Sequence, residues 1–371
     1  MAIALTGGIS TPHQTDAPYR MCAFIIKYYH AVEKFGFPIY TDFMVALHPV
    51  WNPPVFQGKG KRKGYFEGWY HKHVPTAGGD SIAVIGGIAY DDQRRGEAFI
   101  QFIHGSRTEY IAYPVEDFRW ENGRYQVYIG PNRFSADGLY LHIDRPGIQV
   151  SADLSYSSIT PLQQRKLFSP GIMGWYRFVP RMECYHGVVS LDHEVYGNFQ
   201  IDDNSINLTG GRGYIEKDWG SSMPESWVWF QTNSFADTSH SVMFSVARIP
   251  WMRGSFPGFL AICHTPQGQF RFTTYNGSQI VRARIADNRI EITFRSREHE
   301  LQITASGSST GGLRAPALGA MQRTIGESLD AQAQVRLTTI DGFVLFEGRA
   351  NPAGLEIVGE AAALLQDATM P

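Results

Sequence analysis

Cysteine is nearly missing from the 371 residues: Cys22, Cys184 and Cys263 stand far apart, with no CxxC spacing. So sparse and odd a set excludes a disulfide framework and fits a reducing compartment. Charge is scarce as well, at 18% of residues with a formal net charge of −2. Nothing here makes the clustered basic footprint of a nucleic-acid binder, so no nucleic-acid partner is expected. The one basic run, "GKGKRKG" (58–64), reads as a solvated loop hinged by glycines. No apolar run approaches the ~20 residues of a membrane span. The N-terminus also lacks the basic and long apolar regions of a signal peptide, and the expected location is the cytoplasm. Nucleotide and hydrolase signatures are absent too. "GGRGY" (210–214) and "IAVIGGIAY" (82–90) lack the third glycine and the following helix of a dinucleotide-binding turn. There is no Gly-x-Ser-x-Gly elbow and no catalytic-cysteine context.

What the chain does have is aromatics: 23 Phe, 18 Tyr and 8 Trp, with 38 glycines punctuating short apolar runs. Aromatic side chains favour strands and carry large apolar area, so the composition predicts a β-rich protein. Helical spacing is confined mainly to "APYRMCAFIIKYYHAVEKFG" (17–36), which ends at a Gly-Phe-Pro stop. Residues 1–47 are therefore set apart as an N-terminal extension, with Phe24, Ile25 and Tyr28 placed to cap a cavity or touch a membrane surface.

The chain also repeats itself. "GWYHKHVPTAGGDSIAVIGG" (68–87) aligns with "VWFQTNSFADTSHSVMFSVA" (228–247), setting Trp69 on Trp229 and Ser81 on Ser241, 160 residues apart. The same offset carries "EAFIQFIHG" (97–105) onto "PGFLAICHT" (257–265), with Phe99 on Phe259 and His104 on His264. Later "RMECYHGVVSLD" (181–192) resembles "AMQRTIGESLD" (320–330), where Glu183, Tyr185 and His186 meet no titratable group of the same kind. The matching segments alternate apolar and polar residues and end at Gly, Pro, Asn or Asp, as strands do. Two such repeats predict two antiparallel barrels or sandwiches, over residues 48–220 and 221–371.

Alternation also sorts side chains by face. One face of "YFEGWYHKH" holds Tyr65, Glu67, Trp69, His71 and His73, and the matching face of "WVWFQTNSF" holds Trp227, Trp229, Gln231, Asn233 and Phe235. Large aromatics mixed with a few polar groups describe a ligand cavity, or else an exposed amphipathic face. His71 and His73 could chelate a metal with His104, Glu183 or His186, but no glutamate follows His73 at cupin spacing, and no metal is expected.

Taken together, "GYFEGWYHK", "SPGIMGWYRFVPRMECYHGVVSLDH", "GRGYIEKDWGSSMPESWVWFQTNSF" and "APALGAMQRTIGESLDA" resemble the tocopherol cyclase family over roughly residues 48 to 360. The resemblance implies an all-β fold of tandem lipocalin-like (calycin) barrels, shared more distantly with carotenoid hydratases and certain Diels–Alder cyclases. It also implies closure of a chromanol ring from a prenylated benzoquinol, with a lipophilic small molecule as partner and no cofactor. The chain departs from the plant pattern at "LHPVWNPPVFQG" (47–58), on the substrate-access side.

Such a ring closure needs a protonated carboxylic acid, an aromatic wall for a tertiary cation, and exclusion of water. Asp218 is the first candidate acid, Glu183 the second, with Glu216 and Glu67 also available. His186 or Gln231 would orient the phenol. Trp69, His71, His104, Tyr185, Trp219, Trp227, Trp229 and Asn233 would line the substrate pocket. Two alternatives stand beside this expectation. Glu216, Lys217 and Asp218 could form a structural ion-pair cluster with Arg212, and the protein could be a lipophile carrier without catalysis.

Overall fold

The alternating stretches do become strands, and in the computed structural model the protein is all-β. Residues 49–369 are described, apart from 77, 164–168, 238 and 308–310. The expected N-terminal helix, with Phe24, Ile25 and Tyr28, lies outside the described residues.

The first sheet contains β1 (Tyr65–Val74), β2 (Ile82–Tyr90), β3 (Gly96–His104), β4 (Arg107–Pro114), β5 (Phe118–Trp120), β6 (Gln126–Ile129), β7 (Asn132–Ser135), β8 (Gly138–Arg145), β9 (Ile148–Thr160), β10 (Cys184–Ile201), β11 (Asn204–Asn207) and β12 (Gly211–Gly220). It runs β4-β3-β2-β1-β12-β10-β9-β8-β7-β6-β5 and curls into a nearly closed antiparallel barrel. The second contains β13 (Trp227–Thr232), β14 (Ser241–Trp251), β15 (Gly254–Thr265), β16 (Gly268–Thr273), β17 (Gln279–Ala286), β18 (Arg289–Arg295), β19 (His299–Ser306), β20 (Gly311–Ala317), β21 (Ala320–Thr339) and β22 (Val344–Val358). Its order, β16-β15-β14-β13-β22-β21-β19-β18-β17, repeats the first: a run of hairpins whose last strand returns beside its first. A short helix that the sequence reading did not anticipate, α1 (Ala361–Thr369), follows and buries Ala361, Leu364 and Leu365 against the second core.

Three cores result. Trp69, Val84, Phe102, Phe134 and Phe199 fill the first barrel, and Phe230, Phe244, Phe272, Phe294 and Leu337 fill the second. The third forms between the sheets, from Tyr70, Tyr214, Trp227, Trp229, Leu313 and Leu329. Each fully buried aromatic or aliphatic side chain contributes about 1.5–3 kcal/mol.

The register between strands corrects the repeat. Trp69 pairs with Gly86 across β1–β2, and Val228 pairs with Val246 across β13–β14. Gly86 and Val246 are 160 residues apart, but Trp69 and Val228 are 159 apart. A one-residue slip turns every side chain of a strand to the other face. Trp69 therefore points into the first barrel, whereas Trp229, its match at 160, faces the space between the sheets. The residue equivalent to Trp229 is Tyr70.

Two glycines of the "GRGYIEKDWG" strand are fixed by space. A Cβ on Gly213 would meet His193 Nε2 at 2.1 Å, and one on Gly220, at φ +156, would meet the Glu183 carbonyl at 2.1 Å. The same strand ties down the mouth of the first barrel. Lys217 Nζ pairs with Glu67 at 2.6 Å and donates to the carbonyls of Pro53 (2.9 Å) and Val55 (2.5 Å). It lies 4.9 Å from the Trp69 ring centre and 4.6 Å from that of Trp219. Glu67 also accepts from the Gln57 amide and the Tyr65 hydroxyl. Removing one partner of a fully buried pair strands the other charge. Lys217→Met is therefore expected to lower the unfolding free energy in urea by about 3–5 kcal/mol, with Glu67→Gln in the same chain recovering part of it.

Candidate active site

Between the two sheets lies a cavity of about 170 Å³, partly open to solvent. Its walls are largely apolar: Phe66, Phe99, Phe256, Phe259, Met173 and Met223 are representative. Its histidine and carboxylates come from β10, β12 and β22 as His186, Glu216, Asp218 and Glu356, and Gln101, Ser245 and Arg314 also line it.

Glu216 and Asp218 share a face of β12 with Tyr214, as alternation predicts. His186, the strand partner of Asp218 on β10, sits between them. Its Nδ1 is 2.9 Å from Asp218 Oδ1 and its Nε2 is 3.6 Å from Glu216 Oε2. Burial works against charge on this imidazole, but Asp218 and Glu216 outweigh it and hold its pKa up at about 9. Burial pushes the Glu216 carboxyl up to about 7 against the opposing pull of His186. The Tyr214 hydroxyl (2.6 Å) and the Trp229 indole N–H (3.0 Å) both donate to Glu216 Oε2. Two hydrogen-bond donors, with the His186 imidazole nearby, thus gather at one oxygen, and among the described residues nothing bonds Oε1.

Facing atoms of His186, Glu216 and Asp218 all lie within 4.8 Å of one another, close enough to share a proton or a cation. The histidines weighed earlier as chelators are engaged elsewhere. His71 contacts the Tyr156 and Tyr125 hydroxyls, and His73 contacts that of Tyr156, all inside the first barrel.

Of the expected residues, the structure brings Asp218, Glu216, His186, Trp227 and Trp229 to the cavity. The others lie elsewhere. Glu67, Trp69 and His71 turn into the first barrel because β1 is out of step with the assumed repeat. Trp219 lies on that same face of β12 and stacks on Tyr185, with ring centres 5.5 Å apart. Glu183 is half-buried just before β10, and its carbonyl accepts from the amides of Ser221 and Ser222. His104 ends β3 opposite Ile82. Gln231 accepts from Lys72 Nζ at 2.9 Å, and Asn233 donates to Asp192 and to the Gly213 carbonyl. The ion-pair cluster envisaged with Arg212 does not form: Arg212 pairs with Asp192, and Lys217 faces away from Glu216 and Asp218.

Tyr70, Lys72, Glu327 and Glu356 were missed. The Tyr70 hydroxyl donates to Glu327 at 2.5 Å. Burial pushes Glu327 up to about 7 and Lys72 down to about 7. The second repeat therefore keeps titratable groups after all: Glu327 lies within the compared stretch and Glu356 opposite it on the neighbouring strand. The acids of "GESLD" and "GLEIV", set beside apolar residues, were the available signal.

A raised histidine pKa adds stability below its unfolded value of about 6.5, and that stability fades as pH climbs through about 9. NMR of histidine-labelled protein should find His186 still an imidazolium at pH 7.5. Asp218→Asn should move its titration down by at least one unit; an unchanged midpoint would remove Asp218 as the cause.

Comparison with known proteins follows this geometry. A family model described as tocopherol cyclase-like matches residues 145–359. No curated protein matches the chain. Among solved structures, CghA superposes with a TM-score of 0.50 at 11% identity, over 83% of this chain and 89% of that one. CghA with Sch210972 gives 0.52 at 10% identity over the same shares. A candidate AttH from Nitrosomonas europaea aligns at 0.44 and 15% identity, over 78% of this chain and 92% of its own. At these identities the likeness to CghA is one of fold.

Proposed function

The chain belongs to the tocopherol cyclase-like family, and from that membership and the acid in its cavity we propose that it is an acid-catalysed cyclase of prenylated phenols or quinols. The observation that carries this reading is the unequal treatment of the two Glu216 oxygens. The Tyr214 and Trp229 donors bond Oε2, with the His186 imidazolium 3.6 Å from it, so the proton of the neutral acid belongs on Oε1. Those donors also stabilise the carboxylate left behind after the proton departs.

In the proposed step the Glu216 O–H bond breaks and its proton adds to the less substituted carbon of the prenyl double bond. The alkene π electrons form that C–H bond, leaving a tertiary cation on the neighbouring carbon. The phenol oxygen closes onto the cation, and its proton returns to the Glu216 carboxylate. Atoms and charge balance, and the reaction is an isomerisation. Asp218, the acid favoured by sequence, takes the supporting role of holding the His186 imidazolium against Glu216. The faces of Trp227, Trp229, Tyr70 and Phe99 supply the cation's surroundings, each such contact contributing about 0.5–2 kcal/mol. An apolar enclosure limits capture of the cation by water.

Incubation with a prenylated benzoquinol in deuterated buffer tests the reading. A cyclised product should carry one deuterium at the former alkene carbon. Glu216→Gln should lower kcat by about 10²–10⁴-fold. Asp218→Asn should be milder, and kcat/KM should fall as pH rises through about 7, where Glu216 loses its proton. Tight binding with no product in the wild type would mean a lipophile carrier instead.

A further inference from the structure

Glu216 has a counterpart in the second sheet. Tyr70 is the strand partner of Glu216, and Trp229, the residue equivalent to Tyr70, is the strand partner of Glu356. Glu356 also lines the cavity, from the opposing sheet. The Trp227 indole N–H donates to its Oε2, and no described group bonds Oε1. Trp229 links the two acids: its N–H bonds Glu216, and its backbone pairs with Glu356. Burial, reinforced by the charge of Glu327, holds Glu356 well above the usual carboxylate range. A neutral carboxyl facing an apolar space can donate and accept a hydrogen bond at once.

We propose that Glu356, held by Trp227, is a second polar station for the substrate ring, bonding an oxygen other than the one that closes onto the alkene. The inference rests on the cyclase reading and assigns the side chain that recognises the second oxygen of the quinol ring, which the family resemblance already implies. Glu216 serves the reacting edge of the ring, and Glu356 fixes its far edge across Trp229. A cavity side chain built to bond a hydroxyl discriminates against the analogue lacking it, because the buried group is then left unpaired.

The experiment compares a prenylated 1,4-benzoquinol, kept reduced, with the matching 2-prenylphenol, which lacks the far hydroxyl. Binding is read from quenching of tryptophan fluorescence, separately from turnover, in the wild type, Glu356→Gln and Glu356→Leu. Wild type should prefer the quinol about tenfold; Glu356→Leu should abolish that preference by weakening the quinol alone, while Glu356→Gln, still a neutral donor and acceptor, should stay within about threefold of wild type. Should Glu356→Leu fail to fold, Trp227→Phe removes the donor that fixes Glu356 and should erode the same preference. Equal weakening of both ligands, or a wild type without preference, overturns the second station. Selective binding without any cyclised product leaves the station standing and overturns the cyclase reading; product formed without selectivity does the reverse.

Discussion

Strands β1, β12 and β13 are buried on nearly the whole of both faces, and the chemistry of the molecule follows from that constraint. Each turns one face into the core of its own sheet and the other toward the opposing sheet. Little water reaches these side chains, so an ionisable group there must find a partner or give up its charge. The two faces of β12 solve this differently. Lys217 meets Glu67 within a shell of carbonyls and indole rings. On the other side, Glu216 has neutral donors and a nearby imidazolium, and burial pushes its proton affinity toward neutrality. One strand thus carries a structural ion pair on one face and, in the proposed reaction, the proton donor on the other.

The same constraint set what could be read from the sequence. Strand character, the duplication and the family were legible because alternation, turn residues and four ordered motifs survive in the residues themselves. The choice of face was not. β1 is buried along its length, with only Gly68 less than fully so, and a strand buried on both sides gives no inside-outside alternation. The sequence reading placed Trp69 on the pocket wall and passed over Tyr70, and only the register between β1 and β2 decides for Tyr70. On β12 the sequence reading succeeded because Tyr214, Glu216 and Asp218 occupy alternate positions with Lys217 between them, so any assignment kept the acids together. His186 was within reach because it lies in a motif, but its place opposite Asp218 is set by the register of β10 on β12, which holds through Val188 and shifts beyond it.

Glu327 and Glu356 illustrate the other limit. Each sits on a strand that carries other charges, Asp330 on β21 and Glu347 on β22, where an acid reads as an exposed residue. Burial becomes evident only once two sheets supply Tyr70 from one side and Trp227 from the other. The donors that make these acids tolerable come from distant segments, and that pairing carries no local signature. The cavity is accordingly a property of the pair of sheets rather than of either repeat.

Lys72 and Gln231 occupy equivalent places, like Tyr70 and Trp229, and in each case the two equivalents touch one another. Positions that meet their own counterpart lie on a pseudo-twofold axis. In a dimer of two identical barrels, a lysine there would face a lysine, two like charges in a dry interface. Joining both barrels in one polypeptide lifts that self-pairing rule. One side can carry the cation and the other the amide that receives it, and the acids around the axis are then free to acquire unequal surroundings.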